Sequence, residues 1–135
     1  MDKKIEKHIV KAFFNKRIQE RAMFELASPK KRLDALSRLS HNYNITLNEK
    51  YMIKIEDDIE EEIIIKLLKD NGAKSTCYII SWDKDIDGKE LPLDIAIKQS
   101  FNKRMPSIVS CISGELAYFQ AEQEYRSPPR YILKR

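Results

Sequence analysis

The chain has 135 residues, of which 42% are hydrophobic and 34% charged, with a formal net charge of +4. This length fits one domain, and this composition excludes a disordered chain. We therefore expect one α+β domain over residues 1–135, made of a basic helical hairpin (1–41), a loop or strand with an acidic helix (42–72), and a strand-rich half (73–135).

Charge is unevenly distributed along the chain. Residues 1–40 contain eleven Lys/Arg and five Asp/Glu, residues 41–70 contain four and eight, and residues 71–135 contain ten and eight. A basic N-terminal third of this kind attracts polyanions or acidic partners, or lies against the acidic helix of its own fold.

Residues 3–27 contain neither Gly nor Pro and predict one long helix. Ile5, Ile9 and Phe13 recur every four residues, which is typical of an apolar stripe facing a core. Ser28-Pro29 combines a favoured N-cap with a favoured first helical residue, so a second helix is predicted to begin there.

The middle of the chain is harder to interpret. Residues 43–47 and 51–55 alternate enough for two short strands, and a loop is the alternative. A third helix is predicted from the acidic stretch that starts at Asp57 to Asn71-Gly72, because acids first and bases last complement the helix dipole.

The remaining residues predict strands and one short helix. Strands are expected at 76–81, 107–112, 115–121 and 131–133, with a helix at 93–102. Ser113-Gly114 is a two-residue hairpin signal. The expected fold is thus an N-terminal helical pair plus a third helix packed on a mostly antiparallel sheet of about four to five strands.

The sequence contains no secretory signal and no apolar run near the ~20 residues of a membrane span, so we expect a cytoplasmic protein without a membrane span. Cys77 and Cys111 each lie in an apolar, strand-like run. We interpret both as buried, reduced thiols, because free cysteine usually behaves as a small core hydrophobe.

The segment from Asp83 to Gly88 resembles the opening of an EF-hand calcium loop. Its alternating carboxylates supply the oxygens that a calcium ion prefers, and the candidate ligands are Asp83, Asp85, Asp87 and Asp94. A polar turn at the end of a strand is the favoured alternative, because Asp-Gly is a turn signal in its own right.

The basic N-terminal third suggests a polyanion-binding surface. The residues proposed for it are Lys4, Lys7, Lys11, Arg17, Lys30, Lys31 and Arg32. Ser28-Pro29-Lys30-Lys31 looks like the basic repeats of histone tails, but a helix cap is the favoured interpretation because it explains the serine and the proline by itself. The alternative for the whole surface is the solvated side of an amphipathic helix pair.

No catalytic or cofactor motif is present, and the three glycines exclude local phosphate-binding loops. Two histidines, His8 and His41, lie among polar neighbours. The sequence therefore favours a non-catalytic interaction module without cofactor or metal, whose partner is an acidic protein or a second copy. The residues suggesting self-association are Phe13, Phe14, Met23 and Phe24, which exceed one apolar stripe. Sequence-nonspecific nucleic-acid binding and an enzyme with a dispersed site are the alternatives.

Overall fold

The computed structural model describes residues 1–124 and 126–135, which fold around one antiparallel sheet of six strands. The strands are β1 (Met52–Ile55), β2 (Thr76–Ser81), β3 (Glu90–Pro92), β4 (Ser107–Ile112), β5 (Leu116–Gln120) and β6 (Arg130–Lys134). Their order across the sheet is β1-β6-β5-β4-β2-β3, and every neighbouring pair is antiparallel. The α+β class is confirmed, with slightly more strands than expected.

Helices cover both faces of this sheet. They are α1 (Lys3–Phe13), α2 (Gln19–Ala27), α3 (Arg32–His41), α4 (Tyr43–Thr46), α5 (Glu61–Asp70) and α6 (Leu93–Phe101). The α1–α3 layer packs on strand residues such as Ile80 and Phe119, whereas α5 and α6 pack on their neighbours Ile79 and Tyr118. Because strand side chains alternate between faces, one sheet supplies both cores.

The prediction of one continuous helix over residues 3–27 is wrong, because helix α1 ends at Phe13 and a second helix, α2, begins at Gln19. Phe14 is extended (φ −87°, ψ 151°) and forms a bridge with Leu47. The Asn15 side-chain amide donates to the carbonyls of Ile45 (2.5 Å) and Leu47 (3.1 Å). These long-range contacts outweigh helix propensity, which is only a weak local preference.

Two other boundaries differ from prediction. The first of the two short strands, 43–47, is instead the single helical turn α4, where Thr46 bonds the Asn42 carbonyl through both its amide (3.0 Å) and its hydroxyl (2.8 Å). The second short strand is confirmed as β1. Helix α5 begins at Glu61, four residues after the predicted Asp57, because Asp57 lies in a turn.

Helix α3 begins at Arg32, after a turn at residues 29–31, rather than at Ser28-Pro29. The Arg32 amide nevertheless donates to the Ser28 carbonyl at 2.9 Å, which is the spacing of a helical bond. Among the helices in the described part of the chain, none combines the length and apolar character required to span a bilayer.

Candidate functional site

The outer face of α1 is entirely basic. At about 100° per residue, its lysines and histidine fall within one arc of about 140°, and the remaining positions face the protein. The exposed residues of α1 are Lys3, Lys4, Lys7, His8 and Lys11, and the other residues of the helix are buried or half-buried. No described carboxylate lies within 4.0 Å of the four ammonium groups. We call these five residues the α1 basic face.

Glu6, the acidic residue of α1, does not dilute this face because it is buried and paired inside the fold. Arg32 Nη2 donates to Glu6 Oε2 at 2.6 Å and Arg32 Nη1 to Glu6 Oε1 at 2.8 Å. Tyr78 donates its hydroxyl to the same carboxylate at 2.7 Å. Burial raises the pKa of the Tyr78 hydroxyl, and the bond to Glu6 raises it further.

Glu25 on α2 is withdrawn from the surface in the same way. Arg38 donates Nε and Nη2 to its two carboxylate oxygens at 3.1 and 2.9 Å. That hydrogen bonding raises the pKa of Arg38 above its ordinary value. Two of the five acids in residues 1–40 are thus neutralised internally, and each uses an arginine rather than a surface lysine.

The structure separates the predicted polyanion-binding residues into two groups. Exposed side chains belong to Lys4, Lys7, Lys11, Arg17, Lys30 and Lys31. Arg32 differs from them, because it is 7% exposed and also donates to Asp87 from Nε (2.7 Å) and Nη2 (3.0 Å). Its guanidinium is used inside the fold, so we leave it out of the surface proposed below.

The aromatic residues that suggested self-association are mostly interior. Phe13 and Phe14 are buried in the core beneath α1. Phe24 is 55% exposed, and the Lys31 ammonium lies 5.7 Å from its ring centre. The core therefore buries Phe13 and Phe14, and of these three aromatic rings only that of Phe24 lies at the surface.

The Asp83–Gly88 segment forms a turn in which the carboxylates of Asp83 and Asp87 have protein partners, whereas Asp85 is exposed; Asp83 lies 3.4 Å from the Lys103 ammonium. Asp87 accepts from Arg32 and from the Ser81 amide (3.0 Å), and Gly88 has a φ of +75° that favours glycine. Asp94 lies 3.7 Å from Lys69. In residues 1–124 and 126–135, no three His, Cys, Asp or Glu side chains are grouped to hold a metal ion.

The remaining sequence candidates are scattered. Cys77 and Cys111 are free and buried, with their sulfurs 3.7 Å apart. His8 Nδ1 lies 3.3 Å from Ser113 Oγ, whereas His41 Nδ1 lies 3.9 Å from Glu122 Oε2. Neither histidine has a described contact with a thiol, so the fold does not assemble the cysteine–histidine pair that nucleophilic catalysis would use.

Sequence reasoning missed Arg130 at the start of β6. This side chain is 4% exposed, lines a cleft of about 720 Å³, and has no described carboxylate within 4.0 Å. A signal was available, because a period of two places Arg130 on the same inward face as Ile132.

No protein-family model matches the sequence, and comparisons with curated proteins and with solved structures returned no significant match.

Proposed function

We propose that this chain is a non-catalytic interaction module that binds an acidic protein segment through the α1 basic face. The observation that supports it is that every exposed residue of α1 is Lys or His. Four ammonium groups on a rigid helix of roughly 16 Å match a short row of carboxylates. The free thiols of Cys77 and Cys111 accord with a reducing compartment, so we propose the cytoplasm as its location.

An acidic protein fits this face better than a second copy of the same face. A symmetric dimer would bring the same patch of each subunit together, so lysines would oppose lysines. An acidic protein also fits better than nucleic acid, because the α1 basic face carries no arginine fork for phosphate and no aromatic ring for base stacking.

Fluorescence anisotropy with a labelled Glu/Asp-rich peptide tests the proposal, with single-stranded DNA and RNA of equal charge as competing probes. The test variant replaces Lys3, Lys4, Lys7 and Lys11 by Gln. The matched control loses the same charge from exposed lysines elsewhere, by replacement of Lys66, Lys84, Lys89 and Lys98 by Gln. We expect the test variant to bind the peptide at least about tenfold more weakly, and the control to bind within about threefold of the natural chain.

Each result decides between the alternatives. Binding that weakens with salt and depends on the α1 lysines supports the proposal. Tighter, α1-dependent binding of DNA or RNA than of the peptide would replace it with nucleic-acid binding. Equal losses in the two variants, or no binding of any probe at low salt, would overturn it.

A further inference from the structure

A second candidate site lies on the α5/α6 side of the sheet, away from α1. The cleft of about 720 Å³ opens where β6 begins, between the N-terminal end of α5 and the C-terminal end of α6. Its volume lies within the range of small-molecule sites. Its lining carries both signs of charge: five acids that precede or begin α5 form one wall, and three bases, Lys103, Arg104 and Arg130, lie elsewhere in the lining.

Arg130 is held rigidly by a directional hydrogen-bond network. Its Nη1 donates to the Tyr118 hydroxyl (2.6 Å) and to Gln120 Oε1. Gln120 donates its amide to the carbonyls of Ser100 (3.0 Å) and Lys103 (2.6 Å), which fixes its oxygen toward Arg130. The Arg130 guanidinium carbon also lies 4.0 Å from the ring centre of Phe101.

This network uses only one side of the guanidinium. Arginine has five N–H donors, and the three on Nε and Nη2 of Arg130 reach no acceptor among the described residues. The Nε–Nη2 edge is one of the two geometries by which arginine binds a carboxylate in a two-point contact. A buried charge without an anionic partner is costly, so a bound anion would be strongly favoured at this edge.

The acidic wall of the cleft contains a buried carboxylate oxygen that lacks a donor among the described residues. Glu61, at the first position of α5, has a buried Oε2 that accepts no hydrogen bond from the described residues. No N–O distance between Glu61 and Arg130 is within 4.0 Å, so the two do not satisfy each other. Carboxylates of this wall with no described cationic partner within 4.0 Å are Asp58, Glu60, Glu61 and Glu62.

We propose that this cleft binds a small zwitterion of the amino-acid class, with its carboxylate on the Nε–Nη2 edge of Arg130 and its ammonium at Glu61. The excess of acids over bases in the lining favours a ligand with a second cationic group, so a basic amino acid fits best. An anion alone would leave the acidic wall unpaired, and a cation alone would leave Arg130 unpaired.

Isothermal titration of the full chain tests this pairing with three matched probes. L-lysine carries both groups, cadaverine lacks the carboxylate, and hexanoate lacks the ammonium. We expect saturable millimolar or tighter binding of L-lysine, with binding at least about tenfold weaker for cadaverine, which has only positive charge, and for hexanoate, which has only negative charge. An NMR titration should move the side-chain Nε–H resonance of Arg130 with L-lysine.

Variants locate the site. Arg130→Lys keeps the charge but loses the fork, and Glu61→Gln keeps the shape but loses the acceptor charge, so each should weaken L-lysine binding about tenfold. Arg126→Gln changes an exposed arginine outside this cleft and should bind normally. If Arg130→Lys fails to fold, Glu61→Gln and the Nε–H resonance decide the result. No saturable binding of L-lysine, or equal affinities for all three probes, would overturn the proposal.

Discussion

Arg32 at the start of α3 and Glu6 in the first turn of α1 form a buried ion pair, with Nη2 and Oε2 separated by 2.6 Å. The same guanidinium reaches Asp87 in the turn between β2 and β3 and the Leu26 carbonyl at 2.9 Å. Burial alone would lower the pKa of Arg32, but hydrogen bonds and charge attraction from Glu6 and Asp87 outweigh it, so that pKa is raised. From its position in α3, the Arg32 side chain thus contacts α1, α2 and the turn between β2 and β3.

Removal of this arginine should destabilise the fold strongly. Arg32→Met leaves the carboxylates of Glu6 and Asp87 without their cationic partner, and we expect a loss of about 3–5 kcal/mol in the free energy of unfolding. Urea denaturation followed by circular dichroism measures it. Arg17→Met, at an exposed residue without a described ion pair, should cost less than about 0.5 kcal/mol. If Arg32→Met also lowered the free energy of unfolding by less than about 0.5 kcal/mol, the buried ion pair would not stabilise the fold.

Tyr118 should make the protein less stable at alkaline pH. Burial raises the pKa of its hydroxyl from 10.0 to about 12, although Arg130 opposes the shift. The unfolded chain therefore releases this proton near pH 10 while the folded chain keeps it to about pH 12, so unfolding becomes easier as pH rises through that interval.

The measurement compares urea unfolding of the natural chain and Tyr118→Phe at several pH values from about 9 to about 12. Phe has no proton to lose, so its stability should fall less steeply, by up to about 1.4 kcal/mol per pH unit in that window. Parallel curves for the two proteins would show that Tyr118 ionises equally in the folded and unfolded chains.

Local patterns in the sequence predicted those elements whose periodicity is unbroken. The strands at β2, β4, β5 and β6 and the helix α6 follow from alternating or continuous apolar runs. Strand β3 was missed because its three residues include one apolar side chain, Leu91, and it exists only by pairing with β2. The break at Phe14 was missed because its partner, Leu47, is distant in sequence.

The candidate sites likewise differ in whether they depend on local spacing or on contacts between distant residues. The α1 basic face could be predicted, because amphipathic helical spacing alone puts its lysines outward. The burial of Arg32 could not, since it depends on Asp87, 55 residues away. The charge of Arg130 is visible in the sequence, but only the fold shows that no carboxylate of the described residues lies within 4.0 Å of it.

Asn15, which lies between α1 and α2, should contribute more to the stability of the fold than an exposed asparagine does. Its side-chain amide donates hydrogen bonds to the carbonyls of Ile45 and Leu47. These bonds hold the segment between α1 and α2 against the segment before β1. Asn15→Ala leaves both acceptors without this donor, so we expect a loss of about 1–3 kcal/mol in urea denaturation. Asn44→Ala changes an exposed asparagine and should be nearly neutral. Similar losses in the two variants would exclude a special role for Asn15.

Cys77 and Cys111 should form a disulfide when the protein meets a disulfide oxidant such as oxidised glutathione. Their sulfurs are 3.7 Å apart, and a shared S–H hydrogen bond lowers the pKa of Cys77 while it raises that of Cys111. In the reaction both sulfurs lose hydrogen and join, and the oxidant takes up two electrons and two protons to become two thiols. Because both thiols are at most 2% exposed, oxidation should be slow until the sheet opens locally.

The bond would close a loop between residues 34 positions apart, so the oxidised chain should gain up to about 4 kcal/mol in the free energy of unfolding. Thiol counting after unfolding and thermal denaturation measure the two effects. With only two cysteines in the sequence, Cys77→Ser leaves a single thiol and is the matched control that cannot gain stability this way. Two free thiols after prolonged oxidation would show that β2 and β4 do not let the sulfurs approach bonding distance.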